Sequence, residues 1–171
     1  DAEFSKSVVD FQTIKHFSPQ LEDNRLIIDV RSGKFGGTVD DFTVSDMLVS
    51  SRPGGFEGNI SGRMIGIPEI EDTSIDAKIQ DFTITSAGLS HFVTQWMREG
   101  SLDLGKFAPG TAFNINAHAK GLLNRLDIDA DIRSAIGKVN GDIRLEDIIT
   151  EGTQIGISGK VSTEDLNVGK V

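Results

Sequence analysis

Apolar and polar residues alternate along most of this chain, and glycine punctuates the alternation in a recurring way. The phrase apolar–x–Gly–x–apolar occurs as Phe35-Gly-Gly-Thr-Val39, Phe56-Glu-Gly-Asn-Ile60, Val139-Asn-Gly-Asp-Ile143 and Ile157-Ser-Gly-Lys-Val161. An overlapping copy is Ile60-Ser-Gly-Arg-Met64. On a strand, side chains alternate between faces, so both apolar residues and the glycine share one face. Each copy therefore predicts a strand with one apolar face, notched where a side chain is missing.

Further strands follow from the same period. Leu26–Val30 reads as a buried strand, and Gly33 is expected to turn the chain before Phe35–Val39. Phe113, Ile115, Ala117 and Ala119 share one face, as do Leu126, Ile128, Ala130 and Ile132. Twice the parity slips by one residue. Apolar positions run 35, 37, 39 and then 42, 44; later they run 75, 77, 79 and then 82, 84. One extra residue returns the apolar set to its face, so both slips predict β-bulges. Earlier, Val8–Phe11 has strand-like content, and 13–17 could form a single helical turn.

One stretch changes period. Leu89, Phe92, Val93, Trp96 and Met97 fall on a single helical stripe, predicting a helix over 86–99 that covers one end of the sheet. Ser86 suits its start and Gly100 its end.

Phrases also recur at longer range. Leu102-Asp-Leu-Gly-Lys-Phe107 returns as Leu166-Asn-Val-Gly-Lys-Val171, and Gly33-Lys-Phe-Gly-Gly-Thr-Val39 as Gly137-Lys-Val-Asn-Gly-Asp-Ile143. The expected organisation is two degenerate β units, 1–100 with its helix and 101–171 with the start of a third, cut from a longer chain. The fold expected is mainly β: a long, twisted, antiparallel repeat sheet with a groove-like or taco-like apolar side and one internal amphipathic helix.

Composition narrows the chemistry. A net charge of −9 disfavours nucleic acid, whose phosphates need clustered Lys and Arg, and it disfavours anionic lipid headgroups. Cysteine is absent, which removes disulfides, thiol catalysis and cysteine metal sites. No apolar run of about eighteen residues is present to span a membrane.

No catalytic arrangement stands out. His16, His91 and His118 lie on different elements without a metal-binding spacing, so neither a metal nor a cofactor is expected. Asp127, Asp129 and Asp131 have ligand-like spacing but lie in a strand pattern, which predicts a solvated face with cross-strand Lys or Arg partners. No serine occupies a Gly-x-Ser-x-Gly elbow, and Gly36-Gly37 lacks the features of a phosphate loop. Tyrosine is absent and Trp occurs once, so sugar-stacking platforms are scarce.

Several phrases together resemble the AsmA-like superfamily, and most closely its TamB-type members from Gram-negative bacteria. They are Gly33-Lys-Phe-Gly-Gly-Thr-Val-Asp-Asp-Phe42, Gly58-Asn-Ile-Ser-Gly62, Gly66-Ile-Pro-Glu-Ile70 with Thr73, and Leu102-Asp-Leu-Gly-Lys-Phe107 before Pro109. The resemblance implies a non-enzymatic periplasmic segment of an inner-membrane-anchored protein in outer-membrane biogenesis. It implies phospholipid acyl chains carried along an apolar groove, and a link to outer-membrane protein assembly. This chain departs from the pattern in having no anchor helix and in its inserted helix. The groove face would comprise Phe35, Val39, Phe56, Ile60, Phe113, Ile115, Ile128, Val139, Ile143, Ile157 and Val161. The same face also reads as an ordinary core in which glycine permits close packing. Other readings of the chain are a structural or adhesion-type β-repeat module binding protein or glycan through its polar face, and a β-helical enzyme.

Overall fold

The computed structural model describes residues 2–10, 27–52, 55–67, 72–90, 110–148 and 155–165. Nine strands form one antiparallel meander, each paired with the next: β1 (Ala2–Asp10), β2 (Ile27–Gly37), β3 (Asp41–Arg52), β4 (Phe56–Ile65), β5 (Ser74–Thr85), β6 (Ala112–Leu122), β7 (Arg125–Ser134), β8 (Gly137–Glu146) and β9 (Gly156–Glu164). The mainly β, open antiparallel sheet expected from the alternation is what forms. Among the described residues, order β1 to β9 leaves β1 and β9 as the outermost strands. The ladder passes directly from β5 to β6, so both halves of the chain belong to one sheet.

Two local readings need correction. Gly33 does not turn the chain; β2 runs straight through it, with register shifts on either side of Ser32. Gly33 has φ 152°, and its face is filled by the backbone and side chain of Met47. Glycine here absorbs a bulge inside a strand. The first parity slip is also not a bulge. It is the reversal between β2 and β3, closed by the Thr38 amide donating to the Asp41 carbonyl at 2.8 Å.

The second slip is a bulge. Register shifts between Ile79 and Phe82, and Asp81 takes φ 49°. A matching bulge lies on β3 between Val44 and Met47, with Asp46 at φ 49°. Aspartate tolerates this left-handed backbone better than most residues. Each bulge lifts an amide out of the ladder, and a side chain of the next strand captures it: Ser61 Oγ accepts from Asp46 N–H at 2.9 Å, and Asn116 Oδ1 from Asp81 N–H at 2.9 Å.

The core lies toward one end of the strands. Val30, Val49, Phe56, Ile84 and Phe113 are buried, and Val9, Ile28, Met47, Ile60, Phe82, Leu89, Ile115 and Ile132 pack around them. Residues 86–90 are helical, which places Leu89 against this cluster. The cap differs from expectation: Thr85 Oγ1 accepts the Gly88 amide at 3.0 Å, so Thr85 caps the helix one residue before Ser86. Phe92, Val93, Trp96 and Met97 lie outside the described residues, as do the helical turn expected at 13–17 and both Leu-x-x-Gly-Lys phrases.

Candidate functional site

Directly paired residues of antiparallel strands project to the same face. The register therefore sorts the apolar residues into rows that cross the sheet. One row is Phe56–Ile84–Phe113, and the next is Phe82–Ile115–Ile132–Val139. A third is Met47–Ile60–Ile79–Ala117–Ala130–Gly141–Val161. A fourth begins at Phe35 and continues Val44–Gly62–Ala77–Ala119–Ile128–Ile143–Gly159. The last is Met64–Ile75–Gly121–Leu126–Leu145–Ile157. On β4 four of the rows meet Phe56, Ile60, Gly62 and Met64, two or four residues apart, and the row through Phe82 joins them on β5, where Phe82 stands two residues from Ile84, so all five share one face.

Ten of the eleven residues expected to line an apolar face are brought together by these rows. Val39 is not. It lies beyond β2 in the reversal and is 73% exposed, because the strand ends at Gly37. The ten also differ in environment. Phe56 and Phe113 belong to the buried core, with Ile60 and Ile115 packed against it, whereas Ile157 and Val161 on β9 are 73% and 62% exposed. Met47, Met64, Ile75, Leu126, Ile132 and Leu145 belong to the same face and were missed. Leu126, Ile132 and Ile75 sat in recognised alternating runs and Met64 closed a recognised glycine phrase; Met47 and Leu145 needed the register.

The glycine notches on this face are not equivalent. A Cβ at Gly58 would lie 2.6 Å from Phe82 Cα and 2.6 Å from its ring. The Phe82 ring stacks on Phe56, centroids 5.2 Å apart. At Gly62 a Cβ would meet the Asp76 carbonyl at 2.9 Å and Ala77 Cα at 3.0 Å. Gly141 is roomier; its nearest neighbours are the tip atoms of Ile143, at 3.3 and 3.5 Å.

The opposite face is laced with ion pairs. Arg63 pairs with Asp41, Arg144 with Asp127 and Arg52 with Asp29 across neighbouring strands. Their hydrogen bonds hold the three carboxyls below the usual aspartate range. His118 Nε2 lies 2.7 Å from Asp76 Oδ1, and this contact is the main influence lowering Asp76. Of the aspartates on β7, Asp127 has the cross-strand arginine expected of it. Asp131 Oδ1 instead lies 2.7 Å from Arg133 Nε on its own strand. Among the described residues, no group of His, Asp and Glu is arranged to hold a metal ion.

A cleft of about 950 Å³ crosses β5 to β9. It takes three consecutive residues from each strand. The middle ones are Ile79, Ala117, Ala130, Gly141 and Val161, one of the apolar-face rows. Their apolar-face neighbours Ile115, Ile128, Ile132 and Ile143 do not line it, so the cleft meets the middle residues from behind and opens on the polar face. A twisted sheet is saddle-shaped, which makes each face concave along one diagonal. Its walls are two polar rows: Lys78, His118, Asp129, Asp142 and Lys160 on one side, and Gln80, Asn116, Asp131, Asn140 and Ser162 on the other.

No family model matches the chain, and neither a curated protein nor a solved structure matches it.

Proposed function

We propose that this chain is a non-enzymatic periplasmic segment of an AsmA-like, TamB-type protein, conducting phospholipid acyl chains along its apolar face in outer-membrane biogenesis and assisting outer-membrane protein assembly. One observation carries this reading: apolar rows cross an open sheet at right angles to the strands, the two longest running from β3 to β9. Such rows offer an acyl chain a continuous path, about 4.8 Å per strand crossed. The free energy comes from burial, about 0.8 kcal/mol for each methylene removed from water. No nucleophile, metal or proton relay is required. The buried cluster around Phe56 and Phe113 holds the sheet together, while the rows through Ile143, Ile157 and Val161 stay accessible to a guest.

Lipid extraction or native mass spectrometry of the purified chain tests this directly, and co-purified phospholipid is the expected result. Val161→Glu and Ile143→Arg should abolish uptake of a fluorescent acyl probe while leaving a β-type circular dichroism spectrum. A wild-type chain that emerges lipid-free and takes up no probe would sink the proposal.

A further inference from the structure

The apolar face is covered unevenly. Phe56 and Phe113 are buried, with Leu89 packed against their cluster. Toward β9 the face lies open, with Ile157 and Val161 its most exposed members. Among the described residues no second layer lies over β6–β9, whose main contacts are with their ladder neighbours. A sheet with one apolar face is stable when another layer buries that face.

The open area matches what a pair of proteins needs. Strands β6–β9 are 9–11 residues long. At about 4.8 Å between strands and ~3.4 Å per residue, their apolar face covers roughly 650 Å². Two copies would together remove ~1,300 Å² from water, inside the about 1,200–2,000 Å² of specific interfaces. The apolar rows of these strands contain no charged residue, so the chain's charge would stay on the outer faces of the pair.

The face is also complementary to itself. Register sets Ala117 of β6 in one row with Val161 of β9, and Gly121 of β6 in another with Ile157 of β9. A two-fold axis parallel to the strands, between β7 and β8, lays β9 of one copy over β6 of the other. Ile157 and Val161, the large exposed side chains, then seat over Gly121 and Ala117, where little side chain stands in the way. Packed sheets cross at about 30°, which slides these contacts by roughly one residue. The run Ala117, Ala119, Gly121 is small throughout and tolerates that slide. Such an interface uses the same patch on both copies and closes on itself.

We infer that the empty chain pairs face to face with a second copy through β6–β9, and that an acyl guest competes with the second copy for this face. The pairing stands on the apolar rows alone; the competition rests on the lipid reading above.

Sedimentation velocity on the delipidated 171-residue chain tests the pairing. A species of twice the chain's mass is expected at about 50 μM, since interfaces of this class bind at micromolar strength or tighter. Val161→Glu should weaken self-association at least about tenfold, because it buries an unpaired carboxylate. The chain has no cysteine, so single cysteines joined by a short bis-maleimide report the geometry. Ala117→Cys mixed with Val161→Cys should give a cross-linked pair. Val161→Cys alone should not, because the two β9 strands lie at opposite sides of the interface. Ser162→Cys, on the polar face, should link with neither. Laurate, below its micelle-forming concentration, should return the pair to monomer and suppress the link. A delipidated parent chain that stays monomeric would overturn the pairing, and acyl-probe uptake by that monomer would leave lipid carriage standing. Val161→Cys linking to itself as readily as to Ala117→Cys would also overturn it, since that is the mark of two β9 strands joined edge to edge. A pair that persists at saturating laurate would overturn the competition. A cross-linked pair from a chain that takes up no acyl probe would uphold the pairing and sink lipid carriage.

Discussion

Replacing glycine by alanine at two copies of one repeated phrase should give effects of opposite sign. In Phe56-Glu-Gly-Asn-Ile60, a Cβ on Gly58 would fall 2.6 Å from Phe82 Cα. Backbone cannot rotate aside as a side-chain tip can, so β4 and β5 must separate locally. Overpacking of this kind costs roughly 1–3 kcal/mol. Gly58 does not need a left-handed backbone, so alanine also stiffens the unfolded chain, offsetting about 0.4–1 kcal/mol. The net expectation is a loss of about 1–2 kcal/mol. At about 2–4 °C per kcal/mol for a domain of this size, the melting temperature should fall by ~2–8 °C. In Val139-Asn-Gly-Asp-Ile143, a Cβ on Gly141 would meet only the tip of Ile143, at 3.3 Å. A small rotation of Ile143 accommodates it, and the stiffening of the unfolded chain remains, so Gly141→Ala should hold or raise stability by up to about 1 kcal/mol. Thermal and urea melts followed by circular dichroism measure both. Adding Phe82→Ala removes the equally close ring atom but leaves Phe82 Cα at 2.6 Å, so it should not fully rescue Gly58→Ala. Equal effects at Gly58 and Gly141, or a full rescue by Phe82→Ala, would show that the space above Gly58 is not filled by the β5 backbone.

Other outcomes follow from the same geometry. Asp81 holds φ 49° at the β5 bulge, so Asp81→Val should cost roughly 1–2 kcal/mol while Asp81→Gly stays within about 0.5 kcal/mol of the parent, in urea titrations. Ser61→Ala deprives the Asp46 amide of its acceptor and should lower stability by about 0.5–1.5 kcal/mol, with slower amide exchange lost first at Asp46. Asp29, Asp41 and Asp127 have folded-state pKa values lowered by hydrogen bonds from Arg52, Arg63 and Arg144. A lowered folded value means stability that is present above the ordinary value of 3.8 and lost as pH falls below it. Melting temperature should thus be steady from about pH 7 to 5 and drop below about pH 4, and Asp41→Asn with Asp127→Asn should flatten that acid limb.

Strands whose alternation is uninterrupted were legible in sequence: β6, β7 and β8 lie where Phe113, Ile128 and Val139 placed them. Interrupted strands were not. A glycine flanked by apolar runs reads equally as a turn or as a bulge, and only the partner strand decides; Met47 fills the space at Gly33 and keeps β2 whole. The second half of β3 was hidden although its signal was present. Its apolar positions run 42, 44 and then 47, 49, the same slip as at Asp81. Val39 was misplaced because apolar character continues one step past the residue at which the chain reverses. The candidate face was largely readable, since alternation alone assigns a side chain to one face. Its division into buried and accessible rows was not, because that depends on which strands lie at the centre and where Leu89 lands.

The polar cleft could not be read from sequence for a related reason. Asp129 belongs to an alternating acidic run and Asp142 to a glycine phrase, and nothing local connects them. Their opposition arises from the short β7–β8 turn, which fixes Ser134 against Gly137 and thereby every pair below it. A register one residue longer would have moved one of the two carboxylates to the apolar face. The arrangement that places Ile128 beside Ile143 on that face is the one that sets Asp129 against Asp142 on the other. The apolar rows therefore cannot be kept while this pair is separated by slippage, and the register of the next ladder sets Lys160 of β9 opposite Asp142. A strand pair that forms a continuous apolar surface thus holds a pair of opposed carboxylates directly behind it, and the two faces can be tested separately with Ile143→Arg and Asp142→Asn, adjacent residues on one strand.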